Sequence, residues 1–307
     1  MDKVLRLDIS TYQKKDFSEK EKSLVEGLGF KYLSHYDSSA EILISNSNTE
    51  FHKINPSDFP HLKLIIHPNS GYDNVTLNWA KSPIPLIVGH EIRMNAVVEY
   101  SISCLYKHFT NPPFVKNWDK SRAWERKLLR DTNIQLIGFG HIGKLIEASL
   151  RPLVKNIFIN DPYKNKNELK PKEADVIILA ASLNKSSQKI INAHFLENLK
   201  KDVLIINGAR GKLIDELALK NFLTQKSEAF AYLDVFENEP CDLTPLSSLA
   251  NTSLSSHVAG VYATLDEGIL SFVQTTLRSF KDLSSLKFLE KYKEENLQNR
   301  IYKDFIL

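Results

Sequence analysis

The run IQLIGFGHIGKLIEASL constrains this chain most, because three glycines, Gly138, Gly140 and Gly143, stand between an apolar strand-like stretch and a helix-like one. Each glycine answers a separate steric demand of a strand, turn and helix. Gly138 makes the tight turn, Gly140 lets a pyrophosphate approach the backbone, and Gly143 allows the helix to pack against the strand. The helix N-terminus then offers free N–H groups and the positive end of its dipole to phosphate. His141, inside the loop, either reaches the pyrophosphate or faces solvent in the first turn. The next strand, IFIN, ends at Asp161, 18 residues beyond Gly143, about the spacing expected of a carboxylate that accepts hydrogen bonds from ribose hydroxyls. Such a carboxylate repels a 2′-phosphate, on an upper scale of roughly 4 kcal/mol for a close pair at an effective dielectric near 20. NAD is therefore expected over NADP, with Lys164 and Lys166 near enough in sequence to soften the preference.

The strands IQLIGF, IFIN, DVIILAA, DVLIIN and AFAYLDVF alternate with helix-like stretches through about residue 235, the rhythm of a doubly wound sheet. Before them, VLRLDI, EILIS and LKLIIH, with a charged helical stretch around Glu19 to Leu28, predict a second α/β unit with a parallel sheet. Apolar residues at three- and four-residue steps predict one helix over Ile92 to Phe109, marking the crossing between the two. A chain of 307 residues suits two domains. The expected fold class is α/β, with two doubly wound (Rossmann-like or flavodoxin-like) domains and the active site in the cleft between them. Residues 1–93 with 275–307 would form a discontinuous substrate domain and 94–274 an NAD-binding domain. The charge run from Lys281 to Lys303 is expected to be a solvated helix face, in an amphipathic tail that packs back on the first domain.

Forty basic against 37 acidic side chains, spread along the chain, leave a net charge of +3 and no concentrated field for nucleic acid or anionic lipid. Cys104 and Cys241 lie far apart without a metal-ligand spacing, so no disulfide framework and no metal site is expected. The first residues, MDKVLRLDIS, are interrupted by Lys3, Arg6 and Asp8, unlike a signal peptide, and no apolar run nears the roughly 20 residues of a membrane helix. A cytoplasmic location is expected. The sequence has no HExxH motif, and His61 and His67 flank the strand LKLII. It also lacks a GxSxG elbow, and the neighbours Ser255, Ser256 and His257 cannot face one another as a hydrolytic set.

Loops beyond strand C-termini are where doubly wound sheets bind ligands, and three such loops carry reactive side chains. Arg210 lies in INGARGKLID, Glu239 in LDVFENEP and His257 in SSHVAG. Hydride transfer to a 2-keto acid needs a cation for the carboxylate, a proton donor at the carbonyl oxygen and a group that keeps the donor charged. Singly, each of these residues would more often be a surface or salt-bridge residue; their ordered set reverses those odds.

At these residues the chain resembles the D-isomer-specific 2-hydroxyacid dehydrogenases. The resemblance runs from about Trp124 to Gly260 through GFGHIG, ADVIILAASLNKSSQKIIN, INGARGKLIDELAL, LDVFENEP and HVAG in order, and is looser in the first domain, at HPNSGYDNV. It implies that Arg210 binds substrate, that Glu239 pairs with the catalytic His257, and that Asp234 contacts the carboxamide end of the nicotinamide. It further implies that Ile142, Gly208, Ala209 and Gly260 line the cofactor and that backbone N–H groups of Asn69, Ser70 and Gly71 hold the substrate carboxylate. A carboxylate within about 4 to 6 Å of a histidine raises its pKa, so His257 is expected to donate a proton near neutral pH and to act as base in the reverse direction. Gly208 replaces a usually larger residue, and Ala180, Ala181 and Ser182 replace a His-Val-Pro-like run. The stretch Asn111 to Arg130, with Trp118 and Trp124, resembles the family's dimer arm, so a homodimer is expected. The alternative is an NAD(H)-responsive binding protein on the same scaffold.

Overall fold

Short runs of branched aliphatic residues, covered on both faces, become parallel strands in this protein. In the computed structural model, which describes every residue except Asp304, residues 1–94 with 261–307 form one compact unit and 95–260 the other. The first unit carries β1 (Lys3–Arg6), β2 (Lys31–Leu33), β3 (Ile42–Ile44), β4 (Leu64–His67) and β5 (Leu86–Val88). All are parallel, in the order β2-β1-β3-β4-β5, which is the flavodoxin-like order. Alternation along each strand divides its side chains between two cores. Ile42, Ile44, Leu64 and Ile66 face Val25 of helix α1 (Phe17–Gly27), while Leu43 and Ile65 face Phe51, Phe59 and Trp79, the last on the short helix α2 (Leu77–Lys81). Strands β2 and β5 have three residues each, too few for a hydrophobic period to show in sequence.

Helix α3 (Glu91–Phe109) contains the boundary between the units, at Met94 and Asn95. Beyond it the second unit alternates β6 (Asn133–Ile137), α4 (His141–Leu150), β7 (Asn156–Asp161), β8 (Lys166–Asn167), β9 (Val176–Leu179), α5 (Ala193–Glu197), β10 (Leu204–Asn207), α6 (Glu216–Gln225), β11 (Phe230–Leu233), α7 (Thr244–Ser247) and β12 (Thr252–Leu254). The sheet order is β12-β11-β10-β9-β6-β7-β8, parallel but for the edge pair of β7 and β8. Strand order therefore reverses between β6 and β9, and the crevice beyond the strand ends at such a switch point is where doubly wound sheets take ligands. One face of the sheet packs on α5 and α6 through Phe195, Leu219 and Leu223. The other packs on α3 and α4 through Val98, Leu105, Ile146 and Leu150, with Cys104 in the same core.

The chain returns to the first unit at Val261, ahead of the residue 275 that periodicity suggests. The physical reason is helix α8 (Leu265–Asp282), whose apolar face is committed from its first turn: Leu265 and Ile269 pack on Phe17, and Val273 and Leu277 close the core over α1. Helix α9 (Ser285–Lys291) buries Phe288, and a single turn beyond it buries Leu297. The charged tail thus solvates one face and contributes core with the other. Its last residues pair as short antiparallel strands, Ile301–Tyr302 with Phe305–Ile306, rather than as helix. Among the described residues no helix is long and apolar enough to cross a membrane.

Candidate active site

The glycine loop closes on the switch point with no room for side chains at two of its three glycines. Gly138 has φ +97°, which favours glycine, and a Cβ there would lie 2.4 Å from the Ala181 nitrogen, just beyond β9. A Cβ on Gly143 would lie 2.2 Å from the Gly138 carbonyl oxygen, so its absence is what lets α4 pack against the end of β6. Gly140 caps α4, and a Cβ there would meet nothing within 4 Å. His141 and Ile142 form the first turn of α4. Asp161, at the end of β7, is tied to the same loop: its Oδ2 accepts from the Phe139 N–H at 2.8 Å and its Oδ1 from the Tyr163 N–H at 3.2 Å. Switch point, glycine turn, helix N-terminus and a carboxylate at the second strand together fit a dinucleotide with an unphosphorylated ribose.

At the far ends of β10 and β11 the reactive side chains assemble. His257 Nδ1 and Glu239 Oε2 are 2.6 Å apart, and Glu239 Oε1 accepts from the Phe236 N–H at 2.8 Å. Burial pushes the Glu239 carboxyl up, but the hydrogen bonds from His257 and Phe236 and the nearby charge of Arg210 outweigh it and hold it below the ordinary 4.5. His257 occupies the left-handed region at φ +53°, an uncommon conformation for a residue with a Cβ.

Asp234 over-determines that conformation. Fully buried directly after β11, its carboxylate accepts from Ser255 Oγ at 2.6 Å, from the Val258 N–H at 2.8 Å and from the Ala259 N–H at 2.7 Å, while its carbonyl accepts from the His257 N–H at 2.7 Å. The resemblance suggests a contact with the nicotinamide carboxamide for Asp234; in the structure both its oxygens hold the loop that carries His257. Gly260, buried, closes that loop.

Arg210 follows β10, where Asn207 braces its backbone: the Asn207 side chain donates to the Arg210 carbonyl at 2.9 Å and accepts from the Ala209 N–H at 3.1 Å. Two residues that sequence alone does not single out complete this wall. Tyr100 on α3 explains Gly208, because a Cβ on Gly208 would stand 3.2 Å from the Tyr100 ring; the Tyr100 hydroxyl lies 3.3 Å from Ser255 Oγ. Gly211 lets the Arg210 loop touch the Glu239 loop, since a Cβ there would be 1.9 Å from the Phe236 carbonyl carbon. The only sequence signal for it is a second glycine directly after the arginine.

In the first unit, the loop of Asn69, Ser70 and Gly71 leaves β4 under tight control. His67, fully buried, has Nδ1 2.9 Å from Ser45 Oγ and Nε2 2.8 Å from the Gly71 carbonyl oxygen, and the Ser70 hydroxyl donates to the His90 carbonyl at 3.1 Å. The Asn69 N–H is used locally, donating to the His67 carbonyl at 2.7 Å. The N–H groups of Ser70 and Gly71 donate to no partner among the described residues.

Comparison with known proteins places this geometry. The family model of the D-isomer specific 2-hydroxyacid dehydrogenase, NAD binding domain, matches residues 114–259, and a 2-ketogluconate reductase from Gluconobacter oxydans is 30% identical over 216 residues, 65% of this chain and 70% of its own. The chain belongs to the D-isomer specific 2-hydroxyacid dehydrogenase family. As a member it is an NAD-dependent oxidoreductase acting on 2-hydroxy acids, and its second unit is the NAD-binding domain. A glyoxylate reductase from Thermococcus gammatolerans is 28% identical over 248 residues, 73% of this chain and 74% of its own. The fold is shared with a D-lactate dehydrogenase from Aquifex aeolicus solved with NAD and lactic acid, at a TM-score of 0.73 and 19% identity over 97% of this chain and 99% of that one. The family assignment, the α/β fold with parallel sheets and the NAD cofactor expected from the sequence all stand.

Proposed function

We propose that the dehydrogenase reduces a small 2-keto acid to the D-2-hydroxy acid, and oxidises it in reverse, with His257 as the acid/base. The observation that carries this is the 2.6 Å bond between His257 and Glu239, in the unit that also holds a glycine loop fit for a dinucleotide. NAD(H), which the loop of Gly138, Gly140 and Gly143 and Asp161 would hold, would supply the hydride chemistry. Glu239 holds the His257 Nδ1 proton, which leaves the other ring nitrogen to give its proton to the carbonyl oxygen, or to take one from the hydroxyl in the oxidative direction. Arg210 binds the substrate carboxylate through its planar guanidinium. Gly138, Gly140, His141, Ile142, Gly143, Asp161, Gly208, Ala209, Asp234 and Gly260 make up the cofactor side, Asp234 through the 255–259 loop it fixes. A panel of 2-keto acids with NADH and NADPH, followed by absorbance of the reduced nicotinamide, tests the proposal. Tight NADH binding with no turnover of any acid would favour a regulatory binding protein instead.

The cofactor preference makes a separate prediction. With Asp161 at the ribose, NADH is expected to exceed NADPH by about tenfold or more in kcat/KM, roughly 1.4 kcal/mol. Asp161→Ser should narrow that ratio, and equal values for the wild-type protein would remove the role given to Asp161.

A homodimer and a cytoplasmic location belong to the same proposal. In the segment between α3 and β6, Phe114 is 88% exposed and Trp118 77%, a cost that a partner surface would relieve. The expected result is a dimeric mass by light scattering at micromolar concentration; a monomer there would remove the claim. The two cysteines, one buried and one exposed, are both free thiols, in keeping with a reducing compartment.

A further inference from the structure

We propose that Tyr100 is a positioning residue for His257: its hydroxyl and ring fix the 255–259 loop, and the loop fixes the imidazole. The inference rests on the acid/base role proposed above for His257 and adds a residue that acts on it from α3. All the residues concerned lie in the second unit. The Tyr100 hydroxyl is 3.3 Å from Ser255 Oγ, and Ser255 gives its one hydroxyl proton to Asp234 Oδ1 at 2.6 Å. Tyr100 is therefore the donor in its own bond. The chain runs from the Tyr100 hydroxyl through Ser255 to the same oxygen that accepts from the Val258 N–H, and the Asp234 carbonyl accepts from the His257 N–H.

Packing alone does not account for this tyrosine. Its ring packs against the core that α3 and α4 share with the sheet, and a phenylalanine would fill that place as well. The hydroxyl is what packing leaves unexplained, and its partner is the first residue of the loop. Burial pushes the Tyr100 hydroxyl up from its ordinary 10.0, so it stays a donor throughout the neutral range. A donor on Ser255 Oγ turns the serine proton toward Asp234 and polarises it, and hydrogen bonds linked in this way strengthen one another. The far end of the loop is gripped as well. A Cβ on Gly208 would stand 3.2 Å from the Tyr100 ring and 3.5 Å from Ala259 Cβ, so ring, Gly208 backbone and loop end meet at one point. His257 needs such bracing, because a left-handed backbone at φ +53° persists where its surroundings over-determine it.

The test uses Tyr100→Phe, which keeps the ring, with Ser255→Ala and the double variant. The substrate is whichever of glyoxylate, pyruvate and hydroxypyruvate the wild-type protein reduces fastest with NADH. Tyr100→Phe is expected to lower kcat by about threefold to tenfold, with KM and NADH affinity within about twofold of wild type. Ser255→Ala should lower kcat at least as far, and the double variant should match it within about twofold, because the tyrosine acts through the serine. Amide hydrogen exchange at Val258 and Ala259 should quicken in Tyr100→Phe, a readout that needs no turnover. A merely structural loss would lower Tm and spare kcat. A Tyr100→Phe protein that keeps wild-type kcat overturns the proposal, and so does one whose kcat falls with no change in exchange at the loop. Losses that multiply in the double variant, or that fall on KM or NADH affinity instead, overturn it too, since they would make Tyr100 act without Ser255. A wild-type protein that binds NADH and reduces no keto acid sinks the acid/base reading of His257 itself, and the role of Tyr100 with it.

Discussion

Replacing His257 by alanine is expected to lower kcat for keto-acid reduction between about 100-fold and 10,000-fold, the range in which a positioned general acid contributes. NADH affinity should change little by comparison, because the residues proposed to hold the dinucleotide are the glycine loop and Asp161. The loss should exceed a simple side-chain truncation because the structure invests in this one imidazole: a left-handed backbone at φ +53° and four hydrogen bonds from residues 255–259 to Asp234. Glu239→Gln should cost less, since an amide can still accept from Nδ1–H but adds no charge to favour the imidazolium. The Glu239 carboxyl is held below its usual value, so its ionised form stabilises the fold above the ordinary carboxylate range, and that contribution is lost as pH falls through the lowered folded pKa. Stopped-flow measurement of the hydride step, with NADH affinity from fluorescence titration, separates these effects. A His257→Ala protein that keeps its kcat removes the acid/base assignment.

Features set by neighbours along the chain were legible in the sequence, and those set by distant chain segments were not. The loop of Gly138, Gly140 and Gly143 is readable because the turn, cap and packing demands fall within one strand and one helix. The extent of α3 is readable to within a residue for the same reason. By contrast, β2 and β5 are three residues long and are strands only because neighbours pair with them. Gly208 departs from the family pattern where Tyr100 lies beside it, a contact between residues more than a hundred positions apart. Asp234 shows the limit most clearly: the sequence places an aspartate after a strand, and only the fold brings Ser255, Val258 and Ala259 to its carboxylate.

Gly211→Ala is expected to be the most damaging single-methyl change in the NAD-binding domain. The added Cβ would fall 1.9 Å from both the carbon and the oxygen of the Phe236 carbonyl and 2.5 Å from the Glu237 nitrogen. These are backbone atoms, and they cannot turn aside as the end of a flexible side chain would. Either the 208–213 loop or the 236–240 loop must move, and the first carries Arg210 while the second carries Glu239. Overpacking of this kind costs about 1 to 3 kcal/mol, a fall of several degrees in Tm for a domain of this size. Displacing a positioned group by about 1 Å can cost a further hundredfold in rate, so kcat/KM should fall more than stability alone predicts. Gly140→Ala is the control, because a Cβ there meets nothing within 4 Å of protein. Its Tm should hold while NADH affinity falls, as expected if the pyrophosphate approaches the backbone at Gly140. Calorimetry and NADH titration on the two variants check the contrast, and a Gly211→Ala protein with wild-type Tm and wild-type kcat/KM would show that the two loops do not need this contact.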